Sequence, residues 1–399
     1  MKTGSRQRRS QKSVVPGFAK GSAEASSSQN KNKPFTIHRW PTRRLRLGTV
    51  EIGGDAPISV QSMTKTPTGN IKATVNQIRE LEQIGCDIIR VAVPDMEAAR
   101  ALPAIRRAIH IPLIADIHFD HRLALAAIAG GADALRLNPG NIGSKLKIKE
   151  VVKAAAEKNL PIRIGVNAGS LEKDILAKHG SPTAPALVES ALRHVRLLED
   201  LGQSAIKISV KASDVPRTVE AYRLLSKATR HPLHLGVTEA GTFLCGTIRS
   251  SVALGILLAE GIGDTIRVSL ADKPAHEVRA GREILRSLGL QPGGLRVIVC
   301  PTCGRAQMNV IKLARAVEEE LEKLEKKNHQ IKIWPLVAVM GCVVNGPGEA
   351  READIALVCG KNKVFLYLAG VKTITLDAKS APAVAAEKAL EFILRKADI

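Results

Sequence analysis

The sequence predicts an α/β chain in two parts: a closed (β/α)8 barrel of the TIM type, then a small α/β domain. Three observations predict it. From Pro57 the chain alternates short β-rich runs with helical patterns, eight times in about 230 residues. A turn-rich break, QPGG at 291–294, then ends the alternation. Beyond it the pattern restarts on a different plan, around two loops that carry cysteines.

The strand runs are PISVQSM (57–63), DIIRVAV (87–93), PLIADIHF (112–119), ALRLNPG (134–140), PIRIGVNAG (161–169), AIKISVK (205–211), HLGVTEAG (234–241) and TIRVSLA (265–271). Helical stretches such as ATVNQIRELEQIG, MEAARALPAIRRAI, KIKEVVKAAAEKN and VEAYRLLSKATR separate them. An open doubly wound sheet is the competing architecture, but it seldom runs to eight such regular units. RRLRLGTVEIGG (43–54) reads as a hairpin that plugs the barrel floor. The second part reads as a strand (LRVIV), the loop CPTC, and a long charged helix through about Lys327. PLVAVMG, the loop CVVNGPGE, a hairpin (ADIALVCGKNKVFLYLAG) and a final helix ending in LEFILRKA follow. The expected division is a tail at 1–33, a substrate-binding barrel at 34–290 and the small domain at 291–399.

Composition narrows the function classes. The 399 residues are 45% hydrophobic, enough for real cores, and charges interrupt every apolar stretch below membrane-spanning length. A soluble protein that needs no membrane is expected. Six cysteines in so long a chain do not resemble a secreted disulfide framework, so a reducing compartment is expected. Of the net charge of +21, residues 1–33 contribute +7 through eight Lys and Arg against one Glu. That Arg- and Ser-rich segment reads as a disordered tail, with an organelle transit peptide as the alternative. The remaining positive charge favours an anionic partner. With aromatics at 3%, the chain has little material for stacking nucleic-acid bases, so small phosphates lead. The rival from another class is a basic nucleic-acid-binding protein with a structural zinc module.

In such barrels the working residues sit at the carboxyl ends of the strands. Here those ends carry Arg90, Asp116, His118, Arg136, Asn138, Arg163, Asn167, Ser209, Lys211, Glu239, Arg267 and Ser269. Most lie two apart in pairs, so both members of a pair face the same side of their strand. One arginine alone reads as a rim charge. Four arginines and a lysine converging from five strands are different, because buried without anions they repel one another and lose hydration. They call for a polyanion. The turns NPGNIG (138–143) and NAGS (167–170) add backbone N–H groups that suit phosphate oxygens, or serve as ordinary turns. Asp116-Ile-His118 has the spacing of an occasional metal pair, but no further histidine or carboxylate clearly joins it. Hydrogen bonding to substrate or to arginines is the main expectation there. Glu239 is either an acid that moves a proton near bound phosphate or an ion-pair partner that orders an arginine.

Cys300 and Cys303 in CPTC, with Cys342 in GCVVNGPGE, supply three thiolates from two turns. A zinc ribbon needs a second CxxC or a histidine, and His329 stands in a polar stretch that suits it poorly. An iron–sulfur cluster accepts three cysteines and one atypical ligand, and Glu349 after the Gly-Pro-Gly turn is placed for that role. Zinc stays open as the alternative. Cys86, Cys245 and Cys359 are expected to pack as small buried groups.

Together, SVQSMTKTPT (59–68), ADIHFD (115–120), LRLNPGNIG (135–143), RIGVNAGSLE (163–172), LGVTEAGT (235–242), CPTCGR (300–305) and GCVVNGPGE (341–349) resemble the 4-hydroxy-3-methylbut-2-enyl diphosphate synthase family. The resemblance runs in order from residue 34 onward. It implies a reductive enzyme of isoprenoid biosynthesis by the methylerythritol phosphate route. Such an enzyme opens 2-C-methyl-D-erythritol 2,4-cyclodiphosphate and removes a hydroxyl, with two electrons passing through a [4Fe-4S] cluster from ferredoxin or flavodoxin. It further implies Cys300, Cys303, Cys342 and Glu349 as cluster ligands, making the second part an iron–sulfur domain. Arg90, Arg136, Arg163, Asn167, Lys211, Arg267 and Ser269 match diphosphate-binding positions, and Glu239 the family's acid. Asp116 and His118 fall in its substrate-site motif. Residues 1–33 match no motif of the family. Only residues 290–294 separate the two parts, as in the two-domain bacterial type rather than the plant type, so a cytoplasmic enzyme is expected. A homodimer is expected too. The chain leaves the eighth helix at the barrel floor, and five residues reach only about 17 Å, too little to bring the small domain over its own barrel mouth.

Overall fold

The computed structural model describes Met1 and residues 36–291, 294, 296–327, 331, 333–344 and 346–397. The basic tail expected at 1–33, Met1 apart, and His329 lie outside the described residues. The fold below is that of the unit Ile37–Ile399.

Strands β1 (Leu45–Leu47) and β2 (Val50–Ile52) form the expected antiparallel hairpin. Eight parallel strands follow: β3 (Ser59–Met63), β4 (Ile88–Ala92), β5 (Leu113–Asp116), β6 (Ala134–Leu137), β7 (Ile162–Asn167), β8 (Ile206–Lys211), β9 (His234–Leu235) and β10 (Thr265–Ile266). Their order is β8-β7-β6-β5-β4-β3-β10-β9, and the bridge from Ile208 to Leu233 joins the two ends into a ring. A long helix follows each strand, from Ile71–Gln83 after β3 to Pro274–Ser287 after β10. Several start on short polar caps: Asn70, Asp95, Asp120 and Asp214 each accept a hydrogen bond from a first-turn backbone N–H. The (β/α)8 barrel is as the alternation predicts.

Period-two alternation divides each strand between two environments. Val60, Ile89, Val91, Leu135, Ile164, Ile208 and Val210 point outward and pack with the helices in one large apolar core. The positions between them, Gln61, Arg90, Asp116, Arg136, Arg163, Lys207, Ser209 and Lys211, are polar. The floor is apolar again: Leu47 and Ile52 of the hairpin pack on Ile88, Ile114 and Ala134 near the starts of β4, β5 and β6. The hairpin therefore plugs the end opposite the polar residues.

The second sheet has the order β11 (Arg296–Val299), β12 (Leu336–Met340), β13 (Ile355–Gly360), β14 (Lys363–Leu368) and β15 (Val371–Leu376). β11, β12 and β13 are parallel, and β14 and β15 return antiparallel. Val337, Val339, Ile355, Leu357 and Cys359 face helices Val310–Lys327 and Ala381–Ala397. Ala338, Met340, Ala356 and Val358 face the other way, onto Ala350 and Ala353. β15 is the element absent from the sequence reading. It is an exposed edge strand, so no burial pattern marks it. Helix Pro274–Ser287 joins the two parts through ion pairs Arg279–Glu322 (3.0 Å) and Arg286–Glu325 (2.6 Å).

Candidate active site

The inward polar residues converge because adjacent parallel strands stand in register. Asp116 is opposite Arg136, Arg136 opposite Arg163, Arg163 opposite Lys207, and Asn167 opposite Lys211. Asp116 serves as a hub. Its Oδ1 accepts from Arg136 Nη1 at 3.2 Å, and its Oδ2 lies 3.8 Å from Arg90 Nε and 3.5 Å from His118 Nε2. Arg136 Nη1 also meets His118 Nε2 at 2.9 Å. Of the two partners expected for Asp116 and His118, substrate or arginines, the structure shows contacts to arginines. Among the described residues no three His, Cys, Asp or Glu side chains group closely enough to hold a metal ion.

Glycines make room for the cations. A Cβ on Gly165 would lie 2.6 Å from Arg136 Nε, and one on Gly236 would lie 2.7 Å from Lys211 Nζ. Arg163 donates to Gln61 Oε1 at 3.4 Å. Arg90 donates through Nε to Met63 Sδ at 3.1 Å, and Arg267 reaches the same sulfur at 3.8 Å and Glu277 Oε2 at 3.4 Å.

Burial and mutual repulsion shape the ionisation of this ring. Burial, and then the charges of Arg267 and Arg136, push Arg90 down to about 9 even with Asp116 beside it. Arg163 and Lys211 fall well below their ordinary values, first through burial and then through the neighbouring arginines. Burial would raise Asp116, but Arg90, the His118 hydrogen bond, Arg136 and Arg163 overcome it and hold the carboxyl well below the usual range. Such a site is short of negative charge.

The remaining expected residues divide. Asn167 and Ser269 are half-buried at the ends of β7 and just past β10. Asn138 accepts from Gly140 N at 3.1 Å and so caps its own turn, while Ser209 donates to Ile164 O at 3.3 Å. Glu239 is exposed beyond β9 with φ of 52°, a strained conformation for a non-glycine residue. Among the described residues it has no ion-pair partner, so the alternative role of ordering an arginine finds no contact here.

The thiols lie in the second part. Cys300 follows β11 and Cys342 follows β12, so parallel neighbours deliver the two loops to one end of the sheet. The Arg305 backbone N–H and guanidinium hold the Cys303 thiol below its ordinary value, and Arg305 responds to the charges of Cys303, Cys342 and Cys300 together. All three thiols thus lie within electrostatic reach of one cation. Glu349 is exposed in the turn Gly346–Glu349, and among the described residues no side-chain hydrogen bond or ion pair engages it.

Cys86 and Cys359 are buried as expected, but Cys245 is not: it is exposed on the first turn of helix Phe243–Ala259. Gln61, Met63, Lys207 and Glu277 are site residues that the sequence reading does not include. Gln61 and Met63 share inward parity in SVQSM, and Lys207 has the parity of Ser209 and Lys211, so alternation alone marks those three. Glu277 lies on a helix and carries no such mark.

Fold and site together define a two-part barrel enzyme: a barrel mouth lined by cations, and an appended sheet domain that carries three thiols on two loops at one end of its sheet. A family model described as the GcpE TIM-barrel domain matches residues 42–282, and one described as the GcpE protein C-terminal domain matches 296–391. The chain is 58% identical over 329 residues to a 4-hydroxy-3-methylbut-2-en-1-yl diphosphate synthase (flavodoxin) of Geobacter sulfurreducens, covering 82% of this chain and 91% of that one. It is 55% identical over 334 residues to the enzyme of that name from Clostridium perfringens, covering 84% and 94%. A third, from Caldanaerobacter subterraneus, is 57% identical over 330 residues, covering 82% and 91%. The chain belongs to the 4-hydroxy-3-methylbut-2-en-1-yl diphosphate synthase family of enzymes, the GcpE proteins. Among solved structures, a dihydropteroate synthase of Stenotrophomonas maltophilia aligns with a TM-score of 0.46 at 16% identity, covering 62% of this chain and 97% of that one.

Proposed function

We propose that this chain reductively opens 2-C-methyl-D-erythritol 2,4-cyclodiphosphate and removes a hydroxyl, giving 4-hydroxy-3-methylbut-2-enyl diphosphate. The family supports the reaction. The observation that carries the site is the inward ring of Arg90, Arg136, Arg163, Lys211 and Arg267, which is short of anions. In this reading the ring, with Asn167 and Ser269, binds the diphosphate and orients the carbon skeleton at the mouth. Asp116 and His118 hold Arg136 and Arg90 in place. Asn138 and Ser209 shape the walls through their backbone contacts. Glu239, exposed at the rim, gives the leaving oxygen its proton.

Cys300, Cys303, Cys342 and Glu349 would hold a [4Fe-4S] cluster, which would relay two electrons from an external donor one at a time. Three thiols on two loops at one end of the sheet, followed by a carboxylate rather than by a second CxxC or a histidine, support this more than zinc. A carboxylate as fourth ligand yields its place more readily than a thiolate. Flavodoxin, in the relatives' names, is the proposed donor. A cytoplasmic location follows from this reading, since iron-binding thiols need reducing surroundings. The barrel at 34–290 and cluster domain at 291–399 divide the work.

The reading includes a homodimer. Helix Phe243–Ala259 is apolar on both faces. Its outer side exposes Leu244, Ile248, Val252 and Ile256, spaced four apart in a single stripe. The ion pairs that fix the second part engage the outside of helix Pro274–Ser287, which supports a site completed by a second copy.

Anaerobic purification followed by iron, sulfide and zinc analysis and turnover of the cyclodiphosphate with reduced flavodoxin tests the reading. About four irons and four sulfides per chain are expected. A zinc-loaded, iron-free protein that leaves the cyclodiphosphate untouched would overturn it.

A further inference from the structure

We propose that Glu277 is a positioning residue of the anion site, holding the Arg267 guanidinium toward the bound diphosphate. The inference rests on the reading of the barrel mouth as the diphosphate site. Glu277 is 1% exposed, in the first turn of helix Pro274–Ser287. Its Oε2 accepts from Arg267 Nε and Nη2, both at 3.4 Å, and from Ser62 Oγ at 3.2 Å. Its Oε1 accepts from Leu270 N at 3.0 Å, and Lys65 Nζ lies 3.8 Å away. One carboxylate thus ties together the end of β3, the segment after β10 and the helix that follows.

Arg267 needs such a tie. Arg90, Arg163 and Lys211 all respond to its positive charge, so like charges push it outward. Arg163 is buried, whereas the Arg267 side chain is 13% exposed and so is less confined by its surroundings. Asp116 cannot serve instead, being engaged with Arg90 and Arg136 on the other side of the ring.

Glu277 has two effects of opposite sign on an incoming anion. Its charge repels a diphosphate, and its hydrogen bonds fix the cation that binds one. The repulsion acts across the length of the intervening guanidinium and is offset by four other ring cations. The fixed fork is lost outright when the tie is cut. Positioning therefore dominates, and removing the charge weakens anion binding.

The test is calorimetric binding of inorganic pyrophosphate to the anaerobic holoenzyme, with KM and kcat for the cyclodiphosphate. Glu277→Gln is expected to weaken pyrophosphate about tenfold and raise KM in parallel, with kcat changed less than about twofold. Arg267→Met is expected to weaken pyrophosphate about thirtyfold or more, and adding Glu277→Gln to it should change binding less than about twofold. If Arg267→Met leaves pyrophosphate affinity unchanged, Arg267 is not in the anion site and the reading of the mouth fails there. If Arg267→Met weakens binding while Glu277→Gln leaves it equal or tighter, or the two losses multiply, Glu277 does not act through Arg267. Should Glu277→Gln not fold, Glu277→Asp serves in its place. It keeps the charge, withdraws it by one methylene, and is expected to cause about a threefold loss that disappears beside Arg267→Met.

Discussion

At the scale of single residues, the cations depend on side chains that are missing. Gly165 leaves the space that the Arg136 guanidinium fills, and the arginine donates back to Gly165 O at 3.4 Å. Gly165 is not among the glycines with positive φ, so alanine suits its backbone. Gly165→Ala should therefore keep the fold and displace Arg136 from Asp116 and His118. Losing a charged hydrogen bond to the anion costs about 1.5–3 kcal/mol, or roughly ten- to hundredfold in pyrophosphate affinity. Calorimetry with a thermal melt checks this. A variant that binds as well as wild type would remove Arg136 from the anion site. Glu239 is the converse case, a side chain at φ of 52° where glycine is the easier choice.

At the scale of elements, the barrel strands carry polar residues deeper than the mouth. Lys207 of β8 is 1% exposed, and its Nζ has no hydrogen-bond partner among the described residues. Burial, and then the charge of Arg163, push it down to about 7, opposed by Asp264. The sign of the resulting pH dependence follows. From about pH 7 up to the ordinary lysine range near 10.4, the unfolded chain binds this proton more tightly than the folded one. Folding stability from Lys207 therefore rises with pH across that window and falls as pH drops toward 7. Lys207→Met removes the titration. Its melting temperature should be higher than wild type at pH 7, by the equivalent of about 1 kcal/mol or more, with the advantage shrinking toward pH 9. Parallel melting curves for the two proteins across that range would show that Lys207 keeps its proton when folded. The same alternation makes the outward face of each strand apolar, so one β-run supplies both helix packing and site.

At the scale of the whole molecule, the barrel mouth and the thiol loops belong to different parts of the chain, and the ion pairs from Arg279 and Arg286 fix the second part to the flank of the last barrel helix. The proposed dimer lets one copy's thiol loops serve the other's mouth. Mixing a Glu239→Ala chain with a Cys300→Ala chain, after subunit exchange is verified, should restore activity. In a mixed dimer one site collects both defects and the other none. Mixed dimers that stay as inactive as either parent would show that each chain builds its own site.

The barrel, its floor hairpin, the second domain and the family can be read from the residues in order, because these rest on local signals. Period-two runs, helical spacing, turn residues and short motifs are all written within a few residues of one another. The same locality marked Arg90, Asp116, Arg136, Arg163, Lys211 and Arg267, whose parity relative to the apolar residues of their own strands is written in the sequence before any strand pairs. Tertiary structure alone decided the rest. Register set Arg136 opposite Arg163, and closure brought β9 beside β8. Glu277 reached Arg267 from a helix with no parity to announce it, and Cys245 came to the surface because its helix turns Gly246 and Ser250 inward. The exposed β15 was illegible for the opposite reason. Burial is what gives alternation its meaning, and an edge strand has too little of it to leave a pattern.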